Sequence, residues 1–222
     1  MRLLLLRHGQ THSNVSGALD TGAPGAGLTE LGHAQAAAAG TVLADRGIEA
    51  IYCSTLTRTR QTAAPLADRL DLEPVALEGF REVRAGDLEM RTDDESALAY
   101  RHVVASWLLE RDLSVRMPGA ETGHEFLHRF DGAIEDIRAA GHRTALVVSH
   151  GAAIRTWVGL HLSGTDTERW HDQALQPLHN TGCIELDDED DAAGEWRVVA
   201  WHNNPVGGDL LDDPGAADPT AR

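Results

Sequence analysis

Two stretches of the chain share one form: LLLLRHG at residues 3–9 and ALVVSHG at residues 145–151. Each is an apolar run that stops at a polar residue, a histidine and a glycine, which predicts a buried strand ending in a sharp turn. In an open α/β sheet, ligands bind beyond the carboxyl ends of the strands. If these two strands are parallel neighbours, His8 and His150 face one crevice. One His-Gly turn alone would not support that prediction, whereas the matched pair does.

Strands and helices alternate along the rest of the chain. Apolar runs predict further strands at residues 48–53, 75–77, 181–186 and 196–201. Helical spacing predicts helices at about residues 30–46, 56–70, 96–110, 121–140 and 151–162. This alternation predicts an α/β fold, a three-layer sandwich around a mostly parallel sheet. We expect one domain over residues 1–204 and an acidic, disordered tail over residues 205–222, where Gly, Pro, Asp and Ala prevail.

The composition excludes several classes of protein. The 222 residues carry a formal net charge of -16, so the chain lacks the basic surface that non-specific binding to nucleic acid or anionic membranes requires. All 19 basic residues are arginine, and without lysine there is no Schiff-base chemistry and no Walker-type phosphate loop. The apolar run at residues 3–6 is too short for a membrane span. Two cysteines, Cys53 and Cys183, form no disulfide framework, so we expect a reducing compartment, the cytoplasm.

Three more side chains are candidates for a site beside the two histidines. Arg7 precedes His8, and Arg58 follows the predicted strand at residues 48–53, again at a carboxyl end. The planar guanidinium of arginine matches phosphate oxygens bidentately, so two arginines and two imidazoles would form an anion cradle without a metal. Glu82 lies on a stretch without periodicity and supplies a carboxyl group.

The order of these motifs resembles the histidine phosphatase superfamily, the phosphoglycerate mutase-like family, in its phosphatase branch. The resemblance rests on five ordered blocks: LRHGQT at 6–11 with Asn14, LTELG at 28–32, STLTR at 54–58, Glu82 followed by Gly86 and Glu89, and VSHG at 148–151. The resemblance implies a mixed six-stranded sheet with helices on both faces. It also implies hydrolysis of a phosphomonoester on a small phosphorylated metabolite, without a cofactor or metal.

The resemblance assigns a role to each matching position. It implies that His8 is the nucleophile that takes the phosphoryl group, and that Arg7, Arg58 and His150 hold the phosphoryl oxygens. Glu82 matches the general acid and base. Substrate-binding positions implied by the match are Thr11, Asn14, Thr21, Gly22 and the amide of Gly151. Phosphoryl transfer depends mainly on positioning and electrostatic stabilisation, which suits such a set of residues.

A cofactor-dependent phosphoglycerate mutase of the same family is the first alternative. Thr21 and Gly22 lie at the distance from His8 where mutases place a substrate-contacting pair. Other parts of the mutase pattern are missing, because the chain has no lysine and Arg116 is not followed by a second arginine. A mutase needs such extra cations to retain a bisphosphate. These departures favour the phosphatase.

A zinc metallohydrolase is the second alternative. Residues 124–128 read HEFLH, the spacing that places two histidine ligands and a glutamate base on one helix face. A zinc site at His124 and His128 would leave the five ordered blocks unexplained, so we predict no metal.

The expected partner is a small phosphorylated substrate. We expect neither nucleic acid nor a membrane as a partner, and a homo-oligomer is possible.

Overall fold

The computed structural model describes residues 1–162, 167–188 and 196–213. Within these ranges six strands form one mixed sheet in the order β3-β2-β4-β1-β5-β6. The strands are β1 (Arg2–Arg7), β2 (Ala50–Cys53), β3 (Val75–Ala76), β4 (Thr144–Ser149), β5 (Cys183–Asp187) and β6 (Arg197–His202). Strands β1 to β4 run parallel to one another, whereas β5 pairs antiparallel with β1 and β6 pairs antiparallel with β5. The predicted α/β class with a mostly parallel mixed sheet is confirmed.

Strands β1 and β4 are adjacent and parallel, as the repeated motif predicts. Their register runs from Arg2 opposite Thr144 to Arg7 opposite Ser149. Both strands therefore end at the same edge of the sheet. The residues that follow them, His8 and His150, are neighbours in space although far apart in the sequence.

Helices cover both faces of the sheet. They are α1 (His12–Ser16), α2 (Glu30–Leu43), α3 (Thr57–Leu70), α4 (Asp94–Ala105), α5 (Gly123–Ala139), α6 (Gly151–His161) and α7 (Thr167–Leu175). Alternate strand residues point to opposite faces, so Leu4 and Leu6 pack with α2 and α3, while Leu3 and Leu5 pack in the core that contains α4, α5 and α6. None of the helices in the described ranges is both long and apolar enough to cross a bilayer.

Several element boundaries differ from the sequence predictions. Thr29 caps α2 as its sequence suggests, but the helix ends at Leu43. The helix predicted over residues 96–110 changes at Ser106 into a π-helical turn, which ends where Arg111 adopts a left-handed conformation. Helices α1 and α7 were not predicted. Of these, α1 matters for the site, because it begins four residues after His8.

The expected disordered tail differs from the structure over residues 205–213. This segment folds back on the domain, where Gln35 Nε2 donates to the carbonyl of Leu211 and Gln10 Nε2 donates to Asp213 Oδ2. The Val206 amide donates to the carbonyl of Thr181. Local composition gave no sign of this docking, because the partners lie on distant parts of the chain. Residues 214–222, the rest of the expected tail, lie outside the described residues.

Candidate active site

The two histidines at the ends of β1 and β4 form the centre of the candidate site. Both are buried, with ring centroids 5.2 Å apart in an edge-to-face arrangement. The guanidinium of Arg58 lies against both rings, because its Nε is 3.1 Å from His8 Nε2 and 3.3 Å from His150 Nδ1. One arginine therefore connects the two turns that the sequence repeat predicts to be neighbours.

The hydrogen-bond partners define which ring nitrogen carries the proton. His8 Nδ1 is 2.7 Å from the carbonyl of Gly9, which can only accept, so this nitrogen carries hydrogen and Nε2 keeps its lone pair. In His150 the pattern is reversed: Nδ1 accepts from Arg58, and Nε2 lies 2.8 Å from Ser54 Oγ. The two imidazoles thus point lone pairs at the same guanidinium.

Both imidazoles are held in the neutral form. Burial is the largest cause that lowers the pKa of His8 well below its usual value, followed by the positive charges of Arg58 and Arg7. Burial likewise lowers the pKa of His150 well below the usual value, and Arg58 adds to the effect. A neutral imidazole is a nucleophile, so the surroundings of His8 favour the reactive form of the ring.

Arg58 is positioned by a residue that the sequence analysis did not single out. The Asp20 carbonyl accepts from Arg58 Nη2 at 2.7 Å, and Asp20 Oδ2 lies 3.6 Å from Nη1. The same carboxylate oxygen accepts from Ser13 Oγ and from the amide of Ala26. Asp20 thereby fixes the arginine, and Nη1 has no hydrogen-bond partner within the part of the chain that the structure describes.

Arg7 and Asn14 enter the site from β1 and α1. Arg7 is buried at the end of β1 and donates through Nη1 to the carbonyl of Leu178 at 2.6 Å. Asn14 belongs to a capping box in which its Oδ1 accepts from the amide of Thr11 and the Thr11 hydroxyl accepts from the amide of Asn14. Asn180, another residue the sequence did not reveal, donates to Asn14 Oδ1 and to the carbonyl of His8.

The carboxylate of Glu82 lies against the first turn of α6, the helix that begins directly after His150. Its Oε1 accepts from the amides of Val83 at 2.9 Å and Ala153 at 2.7 Å, and its Oε2 accepts from Ala152 at 3.2 Å. Amide donors at a helix N-terminus favour an ionised carboxylate. Gly151 is the first residue of α6, and the two amides that follow it donate to Glu82.

The backbone amides of Thr21 and Gly22 both donate to a carboxylate of the protein itself. The amides of Thr21 and Gly22 both donate to Glu89 Oε1, at 2.8 and 2.9 Å. The Thr21 hydroxyl donates to the other oxygen of the same carboxylate and accepts from the amide of Ala85. These donors are therefore engaged by a side chain of the protein itself.

One cavity brings most of the sequence-predicted residues together. It is lined by Arg7, His8, Thr11, Asn14, Thr21, Arg58 and Glu82, with Asp20 and Tyr100 among the added residues. His150, Gly22 and Gly151 are not among the lining residues, although His150 contacts the lining residue Arg58. Seven of the residues predicted from the sequence thus line one cavity.

The HEFLH string has a structural explanation. His124, Glu125 and His128 are all exposed on α5. Glu125 completes a capping box at the start of that helix, where its carboxylate accepts from the amide and hydroxyl of Thr122. Within the described ranges no three His, Cys, Asp or Glu side chains are grouped so that they could hold a metal ion.

Comparison with known proteins places this site in a family. The profile of the histidine phosphatase superfamily (branch 1) matches residues 3–204. Glucosyl-3-phosphoglycerate phosphatase of Mycolicibacterium vanbaalenii is 32% identical, over 95% of this chain and 98% of its own length. The 2,3-bisphosphoglycerate-dependent phosphoglycerate mutase of Brucella ovis is also 32% identical, over 81% of this chain and 88% of its own.

Two further comparisons differ in what they cover. The PE-PGRS family protein PE_PGRS11 of Mycobacterium tuberculosis is 33% identical over 91% of this chain, which spans only 36% of that relative's length. The solved structure of mycobacterial glucosyl-3-phosphoglycerate phosphatase complexed with VO3 superposes with a TM-score of 0.71, at 27% identity, over 90% of this chain and 98% of its own. The chain belongs to the histidine phosphatase superfamily, branch 1, and is a phosphoric monoester hydrolase of that superfamily.

Proposed function

We propose that the chain hydrolyses the phosphomonoester of a small metabolite through a phosphohistidine on His8, without a metal ion. The observation that carries this proposal is the state of the His8 ring. Its Nδ1 is tied to the carbonyl of Gly9, its pKa is lowered by burial and by two arginines, and its Nε2 lone pair faces Arg58 beside the cavity. A nucleophile in this state is ready to attack phosphorus.

In the first step His8 Nε2 attacks the phosphorus atom, so an N–P bond forms while the P–O bond to the alcohol breaks. Substrate binding displaces the contact between Arg58 Nε and His8 Nε2, and the guanidinium turns its donors to the phosphoryl oxygens. Arg58 Nη1, buried beside Asp20, has a donor available for this role. Arg7 adds a second positive charge, and such fixed cations stabilise the charge on the equatorial oxygens.

Glu82 is the proposed general acid and base. Three amides donate to its carboxylate and favour the ionised form, which matches the second step, in which it takes a proton from the water that attacks phosphohistidine. For the first step the carboxylate has to gain a proton when the anionic substrate binds, since a nearby phosphate disfavours the ionised form. That proton then passes to the departing alkoxide.

Hydrolysis, rather than isomerisation of a phosphoglycerate, is favoured by the shortage of cations. The relatives include phosphatases and mutases, so the family alone does not separate the two. The cavity contains Arg7 and Arg58 as its basic residues among the described ones, and both serve the transferred phosphoryl group. A bisphosphate intermediate would lack charge-assisted contacts worth roughly 1.5–3 kcal/mol each.

The cellular location and the partners of the protein are further predictions. A cytoplasmic location is supported by two buried, unpaired cysteines. The acidic charge supports the prediction that neither nucleic acid nor membrane is a partner. Homo-oligomer formation is open to a measurement of mass in solution.

The test is phosphate release from a panel of phosphorylated metabolites, measured beside a coupled mutase assay with 2,3-bisphosphoglycerate on the same enzyme stock. We expect release to exceed conversion of 3-phosphoglycerate to 2-phosphoglycerate, to survive EDTA and to be inhibited by vanadate, which resembles the transition state. The double variant His124→Ala, His128→Ala is the metal control and should retain activity within a few-fold. Bisphosphate-dependent isomerisation with little free phosphate, or loss on chelation restored by zinc, would refute the proposal.

A further inference from the structure

Glu89 fills a small carboxylate-binding site on the wall of the catalytic cavity. Its two oxygens accept from three donors on two consecutive residues, the amides of Thr21 and Gly22 and the hydroxyl of Thr21. Successive backbone amides that converge on one point form an anion-binding concavity. Thr21 lines the cavity together with His8, so these donors lie where the alcohol part of a substrate would pass.

The local backbone is shaped around this contact. Glu89 follows a short 3-10 turn, Gly86–Leu88. The backbones of the two loops are also joined, because the amide of Leu19 donates to the carbonyl of Arg91 and the amide of Met90 donates to the carbonyl of Leu19. Backbone hydrogen bonds therefore hold the segment that carries Glu89 against the segment that carries Thr21 and Gly22.

The charge of the cavity points in the same direction. Burial lowers the pKa of the Arg58 guanidinium, while the charges of Asp20, Glu82 and Glu89 oppose that effect, so all three carboxylates are electrostatically close to this arginine. The two arginines of the cavity are needed for the phosphoryl group. A second anionic group on the substrate would face these carboxylates, and the amides of Thr21 and Gly22 that could bind it are already bonded to Glu89.

We propose that Glu89 is a specificity-determining residue, a built-in carboxylate that occupies the position of a substrate carboxylate and restricts the enzyme to phosphomonoesters of uncharged alcohols. Phosphorylated sugars, polyols and nucleosides belong to this class, whereas phosphoglycerates do not. The inference rests on the proposed function, since it concerns the leaving-group side of the same site.

A matched pair of substrates tests the inference. Glycerol 3-phosphate and 3-phosphoglycerate have the same three-carbon chain and differ in a hydroxymethyl group against a carboxylate. We expect the wild-type protein to prefer glycerol 3-phosphate in kcat/KM by at least about tenfold, the factor that corresponds to about 1.4 kcal/mol. Glu89→Ala should reduce this preference at least tenfold, mainly by lowering KM for 3-phosphoglycerate. Added formate should restore the preference in Glu89→Ala by refilling the site.

Two controls separate specificity from a structural role. Glu95→Ala removes the same charge from an exposed position and should leave the preference unchanged. Glu89→Gln keeps the shape of the side chain and should hold the fold while easing the rejection of 3-phosphoglycerate. If Glu89→Ala slows both substrates equally, and formate changes neither KM, Glu89 only supports the loop and the inference is wrong.

Failure of the proposed function gives a different result. In that case the wild-type protein would release no phosphate from either substrate. Calorimetric Kd values for the two compounds, measured on His8→Ala with and without Glu89→Ala, then still decide the question. Glu89→Ala must tighten binding of 3-phosphoglycerate relative to glycerol 3-phosphate, and an unchanged ratio of the two Kd values contradicts the inference.

Discussion

The turns that follow β1 and β4 have the same sequence form, but their histidines make different hydrogen bonds. After β1, His8 ties Nδ1 back to its neighbour Gly9 and presents Nε2 at the cavity. After β4, His150 turns Nε2 inward to Ser54 and accepts from Arg58 through Nδ1. Because different ring nitrogens have partners, the proposed roles differ: His8 is the nucleophile, and His150 positions Arg58.

The glycines of the two turns differ as well. A Cβ on Gly9 would lie 2.6 Å from the carbonyl oxygen of Gly32, so the close packing of α2 requires a glycine there. Gly151 instead begins α6, and the next two amides hold the carboxylate of Glu82. The first turn thus packs the proposed nucleophile against α2, and the second binds the carboxylate of Glu82, the proposed general acid and base.

The largest expected effect is the loss of the nucleophile. His8→Ala should reduce kcat by at least about 10³-fold, because the covalent route is lost entirely. Steady-state phosphate release with an aryl and an alkyl phosphate measures this. Activity within tenfold of the wild type would show that the two turns do not differ in the way described.

Glu82→Gln should have the second-largest effect on activity. Loss of general acid catalysis costs about 10²–10⁴-fold, and alkyl phosphates should suffer most because their leaving groups need a proton. Aryl phosphates with good leaving groups should be affected far less in the first step. Single-turnover phosphorylation of His8 measures that step alone, and equal damage to both substrates would contradict acid catalysis by Glu82.

His150→Asn should cost less than the loss of His8. The variant removes one partner of the Arg58 guanidinium and leaves the nucleophile in place, so we expect a loss of about 10²–10³-fold, the range for one stabilising donor of a transition state. The formation of phosphohistidine should be slower but still detectable. Complete absence of the intermediate would mean that His150, and not His8, is attacked.

The smallest effect concerns stability at acid pH. Because the folded-state pKa of each histidine is lowered, the unfolded chain takes up protons below about pH 6.5 while the folded chain does not, so stability falls as pH falls. Each histidine should contribute about 1.4 kcal/mol of this loss between pH 7.5 and pH 5.5. Urea unfolding of His150→Asn should show the loss reduced by that amount. An unchanged pH dependence would place the His150 pKa near its usual value.

Local patterns predicted the core of the site, and distant contacts account for what the sequence did not reveal. The residues at the ends of β1, β2 and β4 were predictable, because strand periodicity and strand ends are local signals. The role of Asp20 was not, since it lies in a glycine-rich loop and acts through the folded position of Arg58. Asn180 is distant from His8 in the sequence, so its hydrogen bond to the His8 carbonyl forms only in the folded chain. Residues 205–213 dock by the same kind of distant contact.

The most direct test of the central claim is to trap the phosphorylated protein during turnover. Rapid quenching of the wild-type protein with an aryl phosphate should yield an acid-labile, base-stable phosphoprotein, with the phosphoryl group on His8 by peptide mapping. His8→Ala should give none, and His150→Asn should still give it. A phosphoryl group found on any other residue, or full turnover by His8→Ala, would contradict the account.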